Sequence, residues 1–174
     1  MFQTRRSFVL GAVALAGCAR VPASPTGPVA PITLESAFVG RAVGAGVFRI
    51  NLTGGERRFR ARLEGRLEGD RLTVVEDFLY EDGEENRLTW VFDRAGPGRW
   101  TGRRDDTVGV AQVIETGQEI RLSYLADFRS GEDVTRLGFE DVIYFGADGR
   151  VINDAIVTRW GLPVARVRFE MLRL

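Results

Sequence analysis

From Gly44 to the C-terminus, apolar side chains recur at every second position, and this period limits the chain to extended strands. Phe59, Ala61, Leu63 and Leu67 alternate with Arg58, Arg60, Arg62, Glu64, Arg66 and Glu68. A helix would instead bring apolar residues together at a period of 3.6. The same alternation is carried by Gly46, Phe48, Ile50 and Leu52, by Leu72, Val74, Glu76, Phe78 and Tyr80, and by Leu88, Trp90 and Phe92. It returns in Ile120, Leu122, Tyr124, Ala126 and Phe128, and in Leu137, Phe139, Asp141, Ile143 and Phe145. Turn dipeptides separate the runs: Gly54-Gly55, Gly69-Asp70, Asp82-Gly83 and Asp148-Gly149. Trp100-Thr101-Gly102, Val108 to Glu115, Val151 to Thr158 and Val164 to Leu172 supply the remaining strands, with Asp105-Asp106 read as a turn or a passage within one of them.

Strands joined by short turns in chain order favour an antiparallel up-and-down meander over a Greek key. With one apolar face each, about eight to ten such strands close into a barrel, which also removes the exposed edges. The expected fold class is therefore all-β, a single barrel resembling the lipocalin type over residues 33–174. The lipocalin Gly-x-Trp signature of a first strand is replaced here by Gly46-Val47-Phe48. Before Gly44, Ile32 to Gly40 reads as one helical turn with Thr33 as N-cap and Ser36 behind it.

The N-terminus carries an address. Arg5 and Arg6 precede an uncharged apolar run, Phe8 to Gly17, half the length needed to span a bilayer as a helix. Residues 1–17 read as an export signal, with Arg5 and Arg6 resembling a twin-arginine motif. Leu15-Ala16-Gly17-Cys18 resembles a lipobox, making Cys18 the expected lipid attachment point. Residues 18–32 follow as the lipidated Cys and a tether, with Pro22, Pro25, Pro28 and Pro31 at the three-residue period of polyproline II. Ala19, rather than aspartate, after the lipobox Cys points to the outer membrane, facing the periplasm. The membrane, reached through the lipid anchor, is the first expected partner.

Composition excludes several chemistries. The chain holds no His and a single Cys, and every basic side chain is Arg. Imidazole- and thiolate-based nucleophilic systems, the usual zinc sites and Schiff-base lysines are all ruled out, and no disulfide can form within the chain. Formal charge is zero, and removing Arg5 and Arg6 tips it slightly acidic, so there is no basic field to hold nucleic acid. The expectation is a non-enzymatic protein without cofactor or metal.

Strand parity nevertheless sends polar groups inward among apolar ones. Glu76, Tyr80, Trp90, Arg104, Tyr124, Asp141 and Asn153 are the candidates to line a ligand cavity. Two readings stand side by side. The interior is either an apolar cavity with a few convergent polar groups, or a filled core in which Glu76 and Asp141 find Arg or Tyr partners and fix the register. A third reading makes the two carboxylates an acid/base pair, as in glycoside hydrolysis. Asp105-Asp106 and Glu84-Glu85 read as turn or rim residues, with calcium the minor alternative. The Arg58, Arg60, Arg62 and Arg66 stripe, interrupted by Glu64 and Glu68, reads as a solvated face or as a surface for anionic headgroups.

With the export segment and lipobox, the stretches Glu76 to Glu84, Asp106 to Gly109, Phe139 to Tyr144, Val151 to Asn153 and Thr158 to Gly161 resemble the bacterial lipoprotein family catalogued as domain of unknown function 3833. The resemblance spans nearly the whole chain after the signal. It implies no catalytic residues, since the family has no established activity. Its members tend to be encoded near fatty-acyl-modifying enzymes, which implies an apolar small molecule or lipid as ligand.

Overall fold

The computed structural model describes residues 21–27, 29–130 and 133–174, without the side chains of Arg129 and Ser130. Arg5, Arg6 and Cys18 lie outside the described residues. One short helix, α1 (Leu34–Phe38), precedes ten strands: β1 (Gly40–Ile50), β2 (Glu56–Glu68), β3 (Arg71–Tyr80), β4 (Glu85–Gly96), β5 (Arg99–Arg103), β6 (Thr107–Glu115), β7 (Ile120–Ser130), β8 (Asp133–Phe145), β9 (Val151–Arg159) and β10 (Leu162–Arg173).

Each strand pairs antiparallel with its neighbours in chain order, and β1 pairs with β10 to close the barrel. This is the up-and-down meander that the alternation predicts. Alternation translates directly into inside and outside. Phe59, Ala61 and Leu63 are buried on β2, while Arg58, Arg60, Arg62 and Glu64 between them are exposed. An outer face so charged is the reverse of a lipid-facing barrel wall. Three details of the expectation fail at strand ends, among them Ile50, the last residue of β1, which is exposed. Leu52 lies in the β1–β2 turn and is exposed, because the strand stops at Ile50. Phe128 on β7 is exposed although its parity is right, because it lies on the rim beyond the packed interior. The Asp105-Asp106 alternative resolves as a turn between β5 and β6.

α1 plugs one end of the barrel. Thr33 caps it with a reciprocal capping box to Ser36: the Ser36 amide donates to Thr33 Oγ1 at 3.0 Å, and the Thr33 amide donates to Ser36 Oγ at 2.8 Å. Leu34 and Ala37 are buried against the strand interior, as is Ile32, which also forms a bridge to Gly117. Five residues are too few to hold a helix by propensity. Side chains from the barrel hold it instead. Glu115 Oε1 accepts from the Leu34 amide at 2.7 Å and from the Trp100 indole N–H at 3.0 Å. Arg94 pairs with Glu35 and lies over the Trp100 ring, 4.1 Å from its centroid. Gly65 on β2 admits the plug, since a Cβ there would come within 1.8 Å of the Phe38 carbonyl oxygen.

Ser24, in the Pro-rich segment, lies against the β6–β7 connection: its hydroxyl donates to Glu119 Oε1 at 3.3 Å and accepts from Arg121 at 2.9 Å.

Candidate ligand cavity inside the barrel

All seven candidate residues face the barrel interior. Glu76 and Tyr80 come from β3 and Trp90 from β4; Arg104 follows β5; Tyr124, Asp141 and Asn153 come from β7, β8 and β9. The register explains the convergence. Glu76 stands opposite Leu63 and Leu88, and Asp141 opposite Leu122 and Ala155, all on apolar inner faces.

Two aromatic groups line the interior. Phe59 has Phe78, Tyr80 and Phe169 around it at centroid distances of 5.4, 5.9 and 5.3 Å. In the other group Tyr124 stacks on Phe139 at 4.7 Å and meets the edge of Trp90 at 5.0 Å, and Trp90 stacks on Phe92 at 5.1 Å. Such rings supply a large apolar contact area in fixed orientations.

The polar groups between these walls are incompletely satisfied. Asn153 Nδ2 donates to Asp141 Oδ1 at 2.9 Å. Asp141 Oδ2 and Asn153 Oδ1 are buried without any hydrogen-bond partner, an arrangement that folded proteins rarely retain without a reason. Arg104, whose side chain is only 10% exposed, does not reach either carboxylate; it holds Asp106 through two hydrogen bonds of 2.5 and 3.1 Å. Its guanidinium lies 5.0 Å from the Trp90 centroid and 5.1 Å from that of Tyr124. The Arg or Tyr partner that a filled core needs for Glu76 and Asp141 is therefore not supplied: Asp141 takes Asn153, and Glu76 takes no hydrogen bond among the described residues.

Burial sets the protonation of both acids. It pushes Glu76 up from 4.5 to about 7, against the attraction of Arg104 and with further upward pressure from Asp141. It pushes Asp141 up from 3.8 to about 7, against the Asn153 hydrogen bond and Arg104, with Glu140 adding to the rise. Desolvation likewise raises the Tyr124 phenol well above its ordinary value, so it stays protonated and able to donate.

Several inward side chains keep accessible surface. Glu76, Phe78, Tyr124, Phe139 and Asn153 point inward, yet each keeps accessible surface and none is sealed as Trp100 and Ile143 are. Neither the Glu76 carboxylate nor the Tyr124 hydroxyl is counted among the sealed polar atoms without partners. Polar atoms that face inward, lack protein partners and remain accessible border room for a small molecule or water. The plugged end is shut by α1, Trp100 and Leu72, whereas the end formed by Tyr80, Arg104 and the β3–β4 and β5–β6 turns carries no such helix.

Over residues 12–173 the sequence matches the family described as protein of unknown function (DUF3833). The chain belongs to this family. No curated protein matches it in sequence. Among solved structures, an S-type phycobiliprotein lyase from Guillardia theta is similar to this DUF3833 barrel, with a TM-score of 0.54 at 8% identity over 76% of this chain and 85% of that one. At that identity the likeness speaks for the fold, a lipocalin-like barrel, and for nothing finer.

Three residues near the interior were not among the sequence candidates. Glu115 follows Ala111 and Val113 on the inner face of β6, so parity alone marks it as an inward acid. Asp106 is Arg104's partner across the turn, a proximity visible in the sequence. Glu119 is buried at the β6–β7 connection by Ser24 and Arg121, and nothing in the local pattern announces it. Among the described residues no cluster of His, Cys, Asp or Glu is arranged to hold a metal ion, the Asp105-Asp106 turn included. Trp90 and Trp100 are core aromatics, and Trp160 is a solvent-exposed turn residue.

Proposed function

We propose that this protein is a lipid-anchored lipoprotein of the bacterial envelope whose barrel binds a small molecule with an apolar body, such as an acyl chain or lipid. The observation that carries the binding reading is the set of inward side chains that keep accessible surface, Phe78, Tyr124 and Phe139 with the Glu76 carboxyl, which takes no hydrogen bond among the described residues. A barrel selected only for packing gains nothing from an inward carboxyl without a hydrogen-bond partner. The structural likeness to a lyase of phycobiliproteins is consistent with a ligand-holding barrel. The envelope address rests on the Arg5-Arg6 segment and Cys18, with an outer-membrane location facing the periplasm as the destination.

The test is native mass spectrometry with lipid extraction on the mature protein, purified without denaturation from its own membranes. A stoichiometric apolar ligand is the expected result. A protein that carries none, and that takes up no added long-chain alcohol, overturns the reading and leaves the outer surface as the working part.

A further inference from the structure

We infer that an apolar lip on one side of the open barrel end, formed by the β1–β2, β9–β10 and β7–β8 turns, docks into the surface of a lipid bilayer. The meander puts these three turns at the same end, opposite α1, and the closed strand order makes them consecutive around the mouth. Their large apolar side chains face solvent: Leu52 is 95% exposed, Trp160 85%, Leu162 63% and Phe128 56%, with Ile50 and Val134 exposed beside them. The turns Gly69-Asp70, Pro97-Gly98 and Asp148-Gly149 at the plugged end carry no such side chain. An apolar patch gathered at one end of a molecule marks a contact. Two of the three turns are tied together. The Asn51 amide donates to the Val164 carbonyl at 2.9 Å, and the Asn51 side-chain amide donates to the Pro163 carbonyl at 3.1 Å. Trp160 adds strain, since its φ of 52° makes a bulky side chain an outlier where Asn or Gly is the usual occupant. An exposed tryptophan in a strained turn does nothing for packing, so its place is explained by what it meets outside the chain.

A bilayer fits this lip better than a protein groove or a second copy does. The side chains sit at or next to hairpin tips, and tips enter the interfacial region singly, without a complementary surface. Tryptophan belongs at that depth, with its ring in the apolar zone and its indole N–H in the wet one. Arg159 lies over the Trp160 ring, 4.3 Å from its centroid, and takes no acid among the described residues, which suits a cation at the headgroup level. Charge is split across the mouth. On the lip side Arg49 and Arg58 share Glu56, Arg136 pairs with Asp127, and Arg159 and Asp133 offset each other in charge. On the far side Glu81, Asp82, Glu84 and Glu85 stand against Arg57, which pairs with Asp82 and Glu84. An anionic surface therefore draws the lip side down and repels the β3–β4 turn. The proposed anchor reaches the same surface. Ser24 is held beside Glu119, past the far end of β6, and a strand of nine residues tilted as in a barrel rises about 20 Å along the axis. The chain from Cys18 to Ser24 extends about 20 Å at most. For the proposed apolar ligand the consequence is a path from bilayer to mouth without a passage through water; that consequence rests on the binding reading, whereas the docking does not.

The experiment reads tryptophan fluorescence of the mature protein on vesicles of phosphatidylethanolamine and phosphatidylglycerol. Acrylamide quenches from the water, and lipid brominated on its acyl chains quenches from the membrane. Trp90 and Trp100 are buried in the barrel, and Trp160→Phe gives their contribution. The Trp160 component is expected to lose at least about half of its acrylamide quenching on the vesicles and to be quenched by the brominated lipid. Leu52→Glu with Leu162→Glu, both at exposed positions, should restore the acrylamide quenching, and far-ultraviolet circular dichroism shows whether the strands are kept. A Trp160 that stays open to acrylamide and escapes the brominated lipid overturns the docking. Shielding that grows with protein concentration and ignores the brominated lipid also overturns it, in favour of a second copy on the lip. Mass spectrometry of the same sample reads the acyl group on Cys18, so that loss of the anchor and loss of the docking are scored apart.

Discussion

Asn153 and Asp141 lie diagonally across β9 and β8 and share one hydrogen bond of 2.9 Å, while Asp141 Oδ2 and Asn153 Oδ1 stay buried without a partner. The pair is half satisfied. Its burial on the inner faces of β8 and β9 separates this interior from an ordinary apolar core.

Stability should fall as pH rises from 5 to 8. Glu76 and Asp141 have folded-state values of about 7, above their ordinary 4.5 and 3.8. Between those limits the folded protein holds protons that the unfolded chain has released, so raising the pH favours unfolding until both acids are ionised in both states. The loss is on the order of a few kcal/mol across the window. Thermal melts from pH 5 to pH 8 should show it, and Glu76→Gln with Asp141→Asn should flatten the dependence. A double variant with the wild-type slope would mean that other groups set it.

Removing the Asn153 amide should uncover the whole Asp141 carboxyl. Asn153→Ala deletes the hydrogen bond that lowers the acid's proton affinity, so Asp141 rises further above 7. A stability cost of about 1–3 kcal/mol accompanies it at neutral pH. Denaturant melts measure the cost, and isotope-edited infrared spectroscopy of the carboxyl band reads the proton. An Asp141 that ionises more readily in this variant contradicts the assigned pair.

Gly65→Ala should unseat the plug. The added methyl would collide with the Phe38 carbonyl, a backbone atom that no side-chain rotation can move aside. Either α1 shifts off the barrel end or the strand gives way, at a cost of about 1–3 kcal/mol. Hydrogen exchange at the Ala37 and Val39 amides, which close α1, separates local opening from global loss.

Glu115 should matter more than an edge-of-strand acid normally does. Glu115→Ala removes the acceptor of both the Leu34 amide and the Trp100 indole and should cost about 2 kcal/mol, whereas Glu115→Gln keeps an acceptor oxygen and should cost less. Equal losses in the two variants would show that side-chain volume, not hydrogen bonding, is what counts there.

Cys18→Ala should abolish metabolic labelling with a radiolabelled fatty acid and leave the precursor unprocessed. Undiminished labelling would remove the lipid anchor from the proposed function.

The fold was legible because strand parity is a local property. Phe59, Ala61 and Leu63 announce an inner face whatever lies opposite, and Thr33 with Ser36 announces a helix start within four residues. The same parity placed Glu76, Asp141 and Asn153 inside. It did not show that Asp141 would take Asn153 while Arg104 turned back to Asp106, because partner choice depends on the tilt and register of strands far apart in sequence. Glu119 was illegible for a similar reason: its burial comes from Ser24, 95 residues earlier.

By itself, then, the sequence determined the alternation, the turns, an up-and-down meander of about eight to ten strands and the chemistry that the chain lacks, since each follows from neighbouring residues or from composition. The tertiary structure alone decided which end of the barrel α1 shuts, which inward acids keep open valences and which cation is already committed. Those outcomes arise only when closure of β1 on β10 brings distant side chains within hydrogen-bond reach.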